Sequence, residues 1–352
     1  MQFIKPGINL PFMGYKKIFI SLSGALILLS LLLLVWRGGP NYGVDFTGGV
    51  VVQIKLEKQQ KPSTIREALA PVGLGDSIIQ QLGETRLSEY LIRLRNPDIE
   101  TAGLGEKIQK AISARLQEGV EIRRVEMVGP KVGEDLRRKA LIAIYLSILL
   151  IGIYISGRFE HKWMLSGFMA LCLIIPGWLA YSFGAGITWL IVIALIITLA
   201  FCWFLKLKWA LGAIICLIHD VIITVGAFAL TNREISLTVI AGLLTIVGYS
   251  LNDTIIVFDR IRENLGRFRN RPMEEVMNTS VNETLSRTIL TSGTTMVVVV
   301  ALFILGGAVI HDFAFAMLVG IIAGTYSSIY VASPFLLLWE GRPSGRKTRS
   351  SR

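Results

Sequence analysis

The chain has 352 residues, 53% of them hydrophobic and only 17% charged, with a mean hydropathy of +0.59. That balance, with several apolar runs near the ~20 residues that cross a bilayer, excludes an ordinary soluble protein and predicts a polytopic membrane protein. The net charge of +11 does not point to nucleic acid: between Pro40 and Arg138, 15 Lys/Arg face 14 Asp/Glu, so the excess lies in short loops and tails beside apolar segments. Cys172, Cys202 and Cys216 all lie within apolar runs without metal-site spacing, so no metal and no cofactor are expected.

Residues 1–17 form a basic N-terminal segment that ends in Lys16-Lys17. The apolar run 18–36 begins like a signal peptide, but no small-x-small cleavage site follows, which predicts an uncleaved first spanning helix with its N-terminus in the cytoplasm. The polar unit 39–138 then reads as strand Val50–Leu56, helix Ser63–Pro71, strand Ser77–Gln81, strand Tyr90–Arg95, helix Leu104–Gln117 and strand Val120–Val128. This order suits an α+β ferredoxin-like domain with an antiparallel sheet, placed on the periplasmic side. Pro62-Ser63-Thr64 and Thr101 read as helix starts and Gly119 as a stop. No nucleophile–base pair or metal cluster stands out there, so the unit reads as a protein-contact domain.

Residues 139–340 form the rest of a helical bundle, with spans expected at about 140–156, 163–183, 187–205, 209–230, 236–258, 288–309 and 313–339. Counted with 18–36 these make eight spans. Gly184-Ala185-Gly186 marks a tight outer turn, and Met273–Leu285 an amphipathic helix within the basic loop 260–287. Both termini, including the basic tail 341–352, fall on the cytoplasmic side by the charge rule.

Within the apolar segments a few polar residues stand out. Asp253, with Asn252 before it, follows a stripe of Gly242, Thr245 and Tyr249, flanked by Ala241 and Gly248. A carboxylate on a spanning helix costs about 2.5–3.5 kcal/mol on insertion scales and usually faces a bundle interior, which makes the stripe a candidate polar pathway. The position equally suits an acid reaching out to the interface. His219 and Asp220 sit mid-span on a stripe of Ala213, Cys216, Thr224 and Ala227, so Asp220 is expected to face a neighbouring helix, as a proton relay or as a packing hydrogen bond. Arg287 opens the seventh span with Thr291, Thr294 and Thr295 on its side, at the level of Asp253; an Asp–Arg pair there would form a proton switch, and an arginine reaching lipid head groups is the plainer reading. Gly320 and Gly324, followed by Ser327 and Ser328, read as close helix packing, and His311 and Asp312 as solvated loop residues.

Five blocks then carry a resemblance: GVDFTGG (Gly43–Gly49), LIHDVIIT (Leu217–Thr224), GYSLNDTIIVFDRIREN (Gly248–Asn264), TLSRTILTS (Thr284–Ser292) and VGIIAGTYSSIYVASP (Val319–Pro334). In this order, around a polar domain of this size, they resemble the SecD/SecF family of protein-export membrane subunits, on its SecF side, within the resistance-nodulation-division superfamily. The resemblance implies a non-catalytic subunit of the bacterial inner membrane. With SecD it would use the proton-motive force to promote export after SecA and the SecYEG channel have moved the chain. It further implies contact with the translocating unfolded polypeptide and with membrane lipids, and, more remotely, with YajC and YidC. Asp253 and Arg287 match the family's transmembrane acid and arginine linked to proton passage, with a second acid supplied by SecD. Asp45, Gly48 and Gly49 fall in the GVDFTGG block, where a turn or hinge is expected. One departure stands out: 163–205 is an extra helical hairpin between Arg158-Phe159-Glu160 and the segment leading to His219.

Two other classes compete. A proton-coupled small-molecule or ion transporter half of the same superfamily needs a substrate cavity in the soluble unit. An intramembrane aspartyl protease using Asp220 and Asp253 needs both acids at matching depth and a GxGD block, which is absent. Carboxylate, Asn and Thr oxygens also suit a sodium ion, so the coupling ion stays open.

Overall fold

The computed structural model describes residues 8–82, 88–94, 103–165, 167, 168, 170, 171 and 187–340. The helix start expected at Thr101, Cys172 and the turn at Gly184–Gly186 lie outside the described residues, as does nearly all of the span 163–183.

The soluble unit is built from α2 (Val44–Thr47), β1 (Gly49–Leu56), α3 (Pro62–Leu69), β2 (Ile78–Leu82), β3 (Glu89–Leu94), α4 (Leu104–Leu116) and β4 (Val120–Val128). Every expected element is found within two residues of its predicted bounds. The sheet has the order β2-β3-β1-β4, antiparallel throughout. The two-residue alternation explains its core: Val50, Val52, Ile54 and Leu56 of β1 and Tyr90, Ile92 and Leu94 of β3 are buried with Ile65 and Leu69 of α3 and Ile108 and Ile112 of α4. Fully buried Tyr90 donates its hydroxyl to the Gln60 carbonyl (2.6 Å) and accepts from the Gln60 N–H (2.7 Å), tying down the β1–α3 connection.

The remaining helices are α1 (Lys16–Trp36), α5 (Pro130–Glu160), α6 (Ile187–Phe204), α7 (Lys208–Thr231), α8 (Leu237–Arg267), α9 (Met273–Leu305), α10 (Gly307–Ser327), a π-turn (Ser328–Ala332) and α11 (Ser333–Glu340). Among the described residues six helices are long and apolar enough to cross a membrane, and Leu190–Phe204 is a shorter apolar one. α1 shows the packing logic. Only Ser23 and Ser30 of it are buried, while Leu22, Leu26, Leu28, Leu29, Leu31 and Leu32 are exposed. Where the surroundings are as apolar as leucine, small residues make the helix contacts. Ser30 packs on Gly226, where a Cβ would lie 2.1 Å from its Oγ.

Three features differ from the sequence expectation. Pro130 starts α5, so this helix projects about ten residues beyond the predicted span before entering it. The amphipathic helix at Met273–Leu285 and the span at 288–309 are one continuous helix, α9, and α8 likewise runs on to Arg267. The basic loop is therefore largely a helical hairpin, held by Asn264 Nδ2 donating to Ser280 Oγ (3.0 Å) and Glu283 Oε2 (2.6 Å) and by Arg260–Glu283 (2.7 Å). The N-terminal segment zips onto it: Leu10 N donates to Asn282 Oδ1 (2.8 Å), Met13 N to Asn278 Oδ1 (3.2 Å), and Lys16 pairs with Glu274 (2.5 Å). Finally, His311 and Asp312 are not in a solvated loop. α10 begins at Gly307, and both contact Arg233, His311 Nδ1 at 2.9 Å and Asp312 Oδ1 at 2.5 Å.

α8 and α10 cross in contact at the predicted glycines. A Cβ on Gly320 would lie 2.3 Å from Ile246 side-chain atoms, and one on Gly324 would lie 2.9 Å from Ser250 Cβ. Ile246 is itself buried and has no room to give. Gly320→Ala is expected to lower the melting temperature of the purified protein in detergent, at a cost of about 1–3 kcal/mol, and Ile246→Ala in the same chain to recover part of the loss.

Candidate functional site

Two carboxylates lie inside the bundle, each about 1% exposed, and each is held by hydroxyls from neighbouring helices. Asp220, on α7, accepts from Ser250 Oγ of α8 (2.5 Å) and Ser327 Oγ of α10 (3.0 Å) at Oδ2, while its Oδ1 lies 2.8 Å from His219 Nδ1. The stripe read from the sequence does face a neighbouring helix: Ala213, Cys216 and Thr224 are buried with Asp220. Thr224 donates back to the Asp220 carbonyl (2.8 Å), so Asp220 is satisfied at both side chain and backbone. His219 Nε2 is buried and has no partner among the described residues.

Asp253, on α8, accepts from Ser292 Oγ of α9 at Oδ2 (3.0 Å), and Ser292 in turn accepts from Thr325 Oγ1 of α10 (2.8 Å). Its Oδ1 is buried and makes no hydrogen bond among the described residues. A buried carboxylate oxygen without a donor is costly, which separates Asp253 from the fully held Asp220. Next to it Thr254 Oγ1 meets Ser328 Oγ (3.0 Å).

These threads converge on four consecutive residues of α10 and the π-turn. Thr325 reaches Asp253 through Ser292, Tyr326 donates to the Phe19 carbonyl of α1 (2.6 Å), Ser327 binds Asp220 and Ser328 meets Thr254. The π-turn that follows is a local irregularity of a kind often found at functional sites.

The other sequence candidates are placed differently. Arg287 is exposed and forms no ion pair within 4.0 Å among the described residues, so the pair with Asp253 is not formed within this chain. The reason is the rotation of α9: its buried face carries Thr288, Ser292 and Val299, not Thr291, Thr294 and Thr295. Asn252 is exposed as well, one helical step from Asp253. Of the predicted stripe, Gly242 is buried and Tyr249 half-buried, whereas Ala241, Thr245, Gly248 and Asn252 form an exposed strip. Asp45 accepts a hydrogen bond from Leu237 N at the start of α8 (2.8 Å), and Gly48 adopts a left-handed φ of 74°. Ser250, Ser292 and Thr325 were missed, because a hydroxyl in an apolar helix is common and only its distance to a carboxylate singles it out. Asp220 and Asp253 bind separate serines and share no hydrogen bond, so they do not form the dyad an aspartyl protease needs.

Apolar helices of bilayer length around two buried, hydroxyl-held carboxylates define a polytopic α-helical membrane protein. Residues 108–182 and 174–342 match the family "Protein export membrane protein SecD/SecF, C-terminal", and residues 38–60 match the "SecD/SecF GG Motif". Curated relatives called protein translocase subunit SecF include one from Vibrio alginolyticus, 40% identical over 96% of this chain and 91% of the relative. A second, from Magnetococcus marinus, is 40% identical over 99% and 96%. The crystal structure of SecDF, a translocon-associated membrane protein from Thermus thermophilus, superposes with a TM-score of 0.75 at 32% identity, over 96% of this chain and 39% of that one. The present chain thus spans about two-fifths of the SecDF polypeptide. It belongs to the SecD/SecF family, among the SecF protein translocase subunits, and is a transport component of the Sec system, not an enzyme.

Ser250→Ala removes one of the three polar contacts of the Asp220 carboxylate and is expected to cost about 1–3 kcal/mol of stability. Thr245→Ala, whose hydroxyl bonds only the Ala241 carbonyl of its own helix, is expected to change stability by less than about 0.5 kcal/mol. Thermal unfolding of the purified chain in detergent checks both.

Proposed function

We propose that this chain is the SecF half of a proton-driven accessory of the Sec translocase, and that Asp253 is the group that gains and loses the proton. The observation that carries this reading is the half-satisfied carboxylate: one oxygen is held by the Ser292–Thr325 relay, the other is buried without a donor. Such a group has two states of different hydrogen bonding, which is what a switch requires.

The exposed strip Ala241, Thr245, Gly248 and Asn252 supports SecD as the partner beside it. It lacks the large apolar residues that α1 turns outward, and Arg287 and Thr294 of α9 are exposed as well. Small and polar surface on a spanning helix suits a protein neighbour rather than lipid. SecD would then supply the second acid, and Arg287 would serve that shared interface. In this reading the strand order of the soluble unit is ferredoxin-like and the unit is periplasmic, both termini are cytoplasmic, and the bundle has eight spans with 163–205 as an extra hairpin. SecYEG and SecA are the machinery assisted, YajC and YidC are further neighbours, and the unfolded exported polypeptide is the cargo.

The reading is tested by complementing cells depleted of the native subunit with Asp253→Asn and measuring secretion of a reporter at matched membrane levels. Asn keeps size and hydrogen bonding but cannot titrate, so export is expected to fall by about tenfold or more. Normal export with intact assembly would remove Asp253 from the mechanism.

A further inference from the structure

The GG-motif segment Asn41–Gly49 makes contacts that neither the proton reading nor the fold of the soluble unit requires. Gly43 N donates to the Ile235 carbonyl (2.9 Å) and Ile235 N to the Asn41 carbonyl (2.8 Å), forming a main-chain bridge to the loop between α7 and α8. Asp45 Oδ2 accepts from Leu237 N (2.8 Å) and Ser236 Oγ from Val239 N (3.4 Å), so the first turn of α8 is capped jointly by its own N-cap and by a residue 192 positions away. Phe46 is buried with Ile235, Val239 and Ile240.

On its other side the segment is wedged against α5. A Cβ on Gly48 would lie 2.8 Å from Pro130 Cα, and one on Gly133 would lie 3.0 Å from backbone atoms of Phe46 and Gly48. A third contact comes from the sheet: Arg93 of β3 pairs with Glu234, with side chains only 16% and 11% exposed. The soluble unit thus grips the loop that starts α8. From Leu237, α8 runs unbroken to Asp253, sixteen residues or about 24 Å away.

We propose that Asn41–Gly49 is the rigid joint by which movement of α8 at Asp253 reaches the soluble unit, with Asp45 as its positioning residue. The inference rests on the role given to Asp253 above and assigns the GG motif a mechanical task, a grip on the end of the proton-bearing helix in place of the expected hinge. Asp45 contacts no proton-bearing group; it acts only through the start of α8.

The test uses the full chain with its SecD partner in membrane vesicles, reading reporter export and dye-detected proton flux together, with co-purification of SecD as the check on assembly. Asp45→Ala is expected to lower export by about fivefold or more, the scale of a lost cap, while proton flux stays within about twofold. Asp253→Asn is expected to stop both, so retention of flux there would sink the underlying reading on its own. A covalent substitute for the grip should then rescue Asp45→Ala. A Cβ on Gly43 would lie 3.7 Å from Ser236 Cα, so Gly43→Cys with Ser236→Cys can close a disulfide, and export should return when it is oxidised and fall again on reduction. Arg93→Glu and Glu234→Arg should each lower export and together restore it, which keeps the test open if Asp45→Ala fails to assemble. The proposal is overturned if Asp45→Ala exports normally, if it loses flux together with export, or if neither the disulfide nor the charge exchange restores export.

Discussion

The bundle depends on the cost of putting carboxylates where there is no water. An acid inside an apolar bundle needs donors within hydrogen-bond reach, and a helix supplies few of its own because its main-chain groups are already paired. The donors therefore come from neighbours. Asp220 draws on α8 and α10, and Asp253 on α9, which in turn leans on α10. Meeting these demands fixes how α7, α8, α9 and α10 are rotated and how deep each sits. Gly320 and Gly324 let α8 and α10 approach closely enough for Ser327 to reach Asp220 and Thr325 to reach Ser292.

The two acids differ in how completely they are held, and that difference divides structure from function. Asp220 has a partner at each oxygen, so it acts as a pin between helices. Asp253 has a partner at one oxygen only, beside an exposed strip of small and polar residues. A subunit that shares a proton site with a neighbouring protein should look like this alone: half of the coordination present, and Asn252 and Arg287 turned outward.

Much of the fold was legible because alternation in strands and apolar length in spans are properties of single segments. Val50 to Leu56 reveals its inward face residue by residue, and the run 18–36 reveals its own length. The bounds of α5 and α9 were less legible, because charged turns at Val132–Arg138 and Met273–Ser286 resemble loops when read for hydropathy, although nothing in them breaks a helix. The site was half legible. Asp220 and Asp253 stand out as acids in apolar surroundings, but the donors Ser250, Ser292 and Thr325 do not. Counting turns from Arg287 selected the face of α9 that holds Thr291 and Thr294, when the buried face lies about one residue's rotation away, at Thr288 and Ser292. Which face of an apolar helix is inward depends on its neighbours, and a single sequence does not list them.

α8 is tied at both ends. At one end its first turn is capped by Asp45 from the soluble unit. At the other, Asn264 is bound to Ser280 and Glu283 of α9, which the N-terminal segment clasps in turn. A stiff rod fastened at both ends and loaded near its middle cannot answer locally. Any tilt that a proton imposes on it must appear with opposite sense at the two surfaces of the membrane, and one event is then announced on both sides at once.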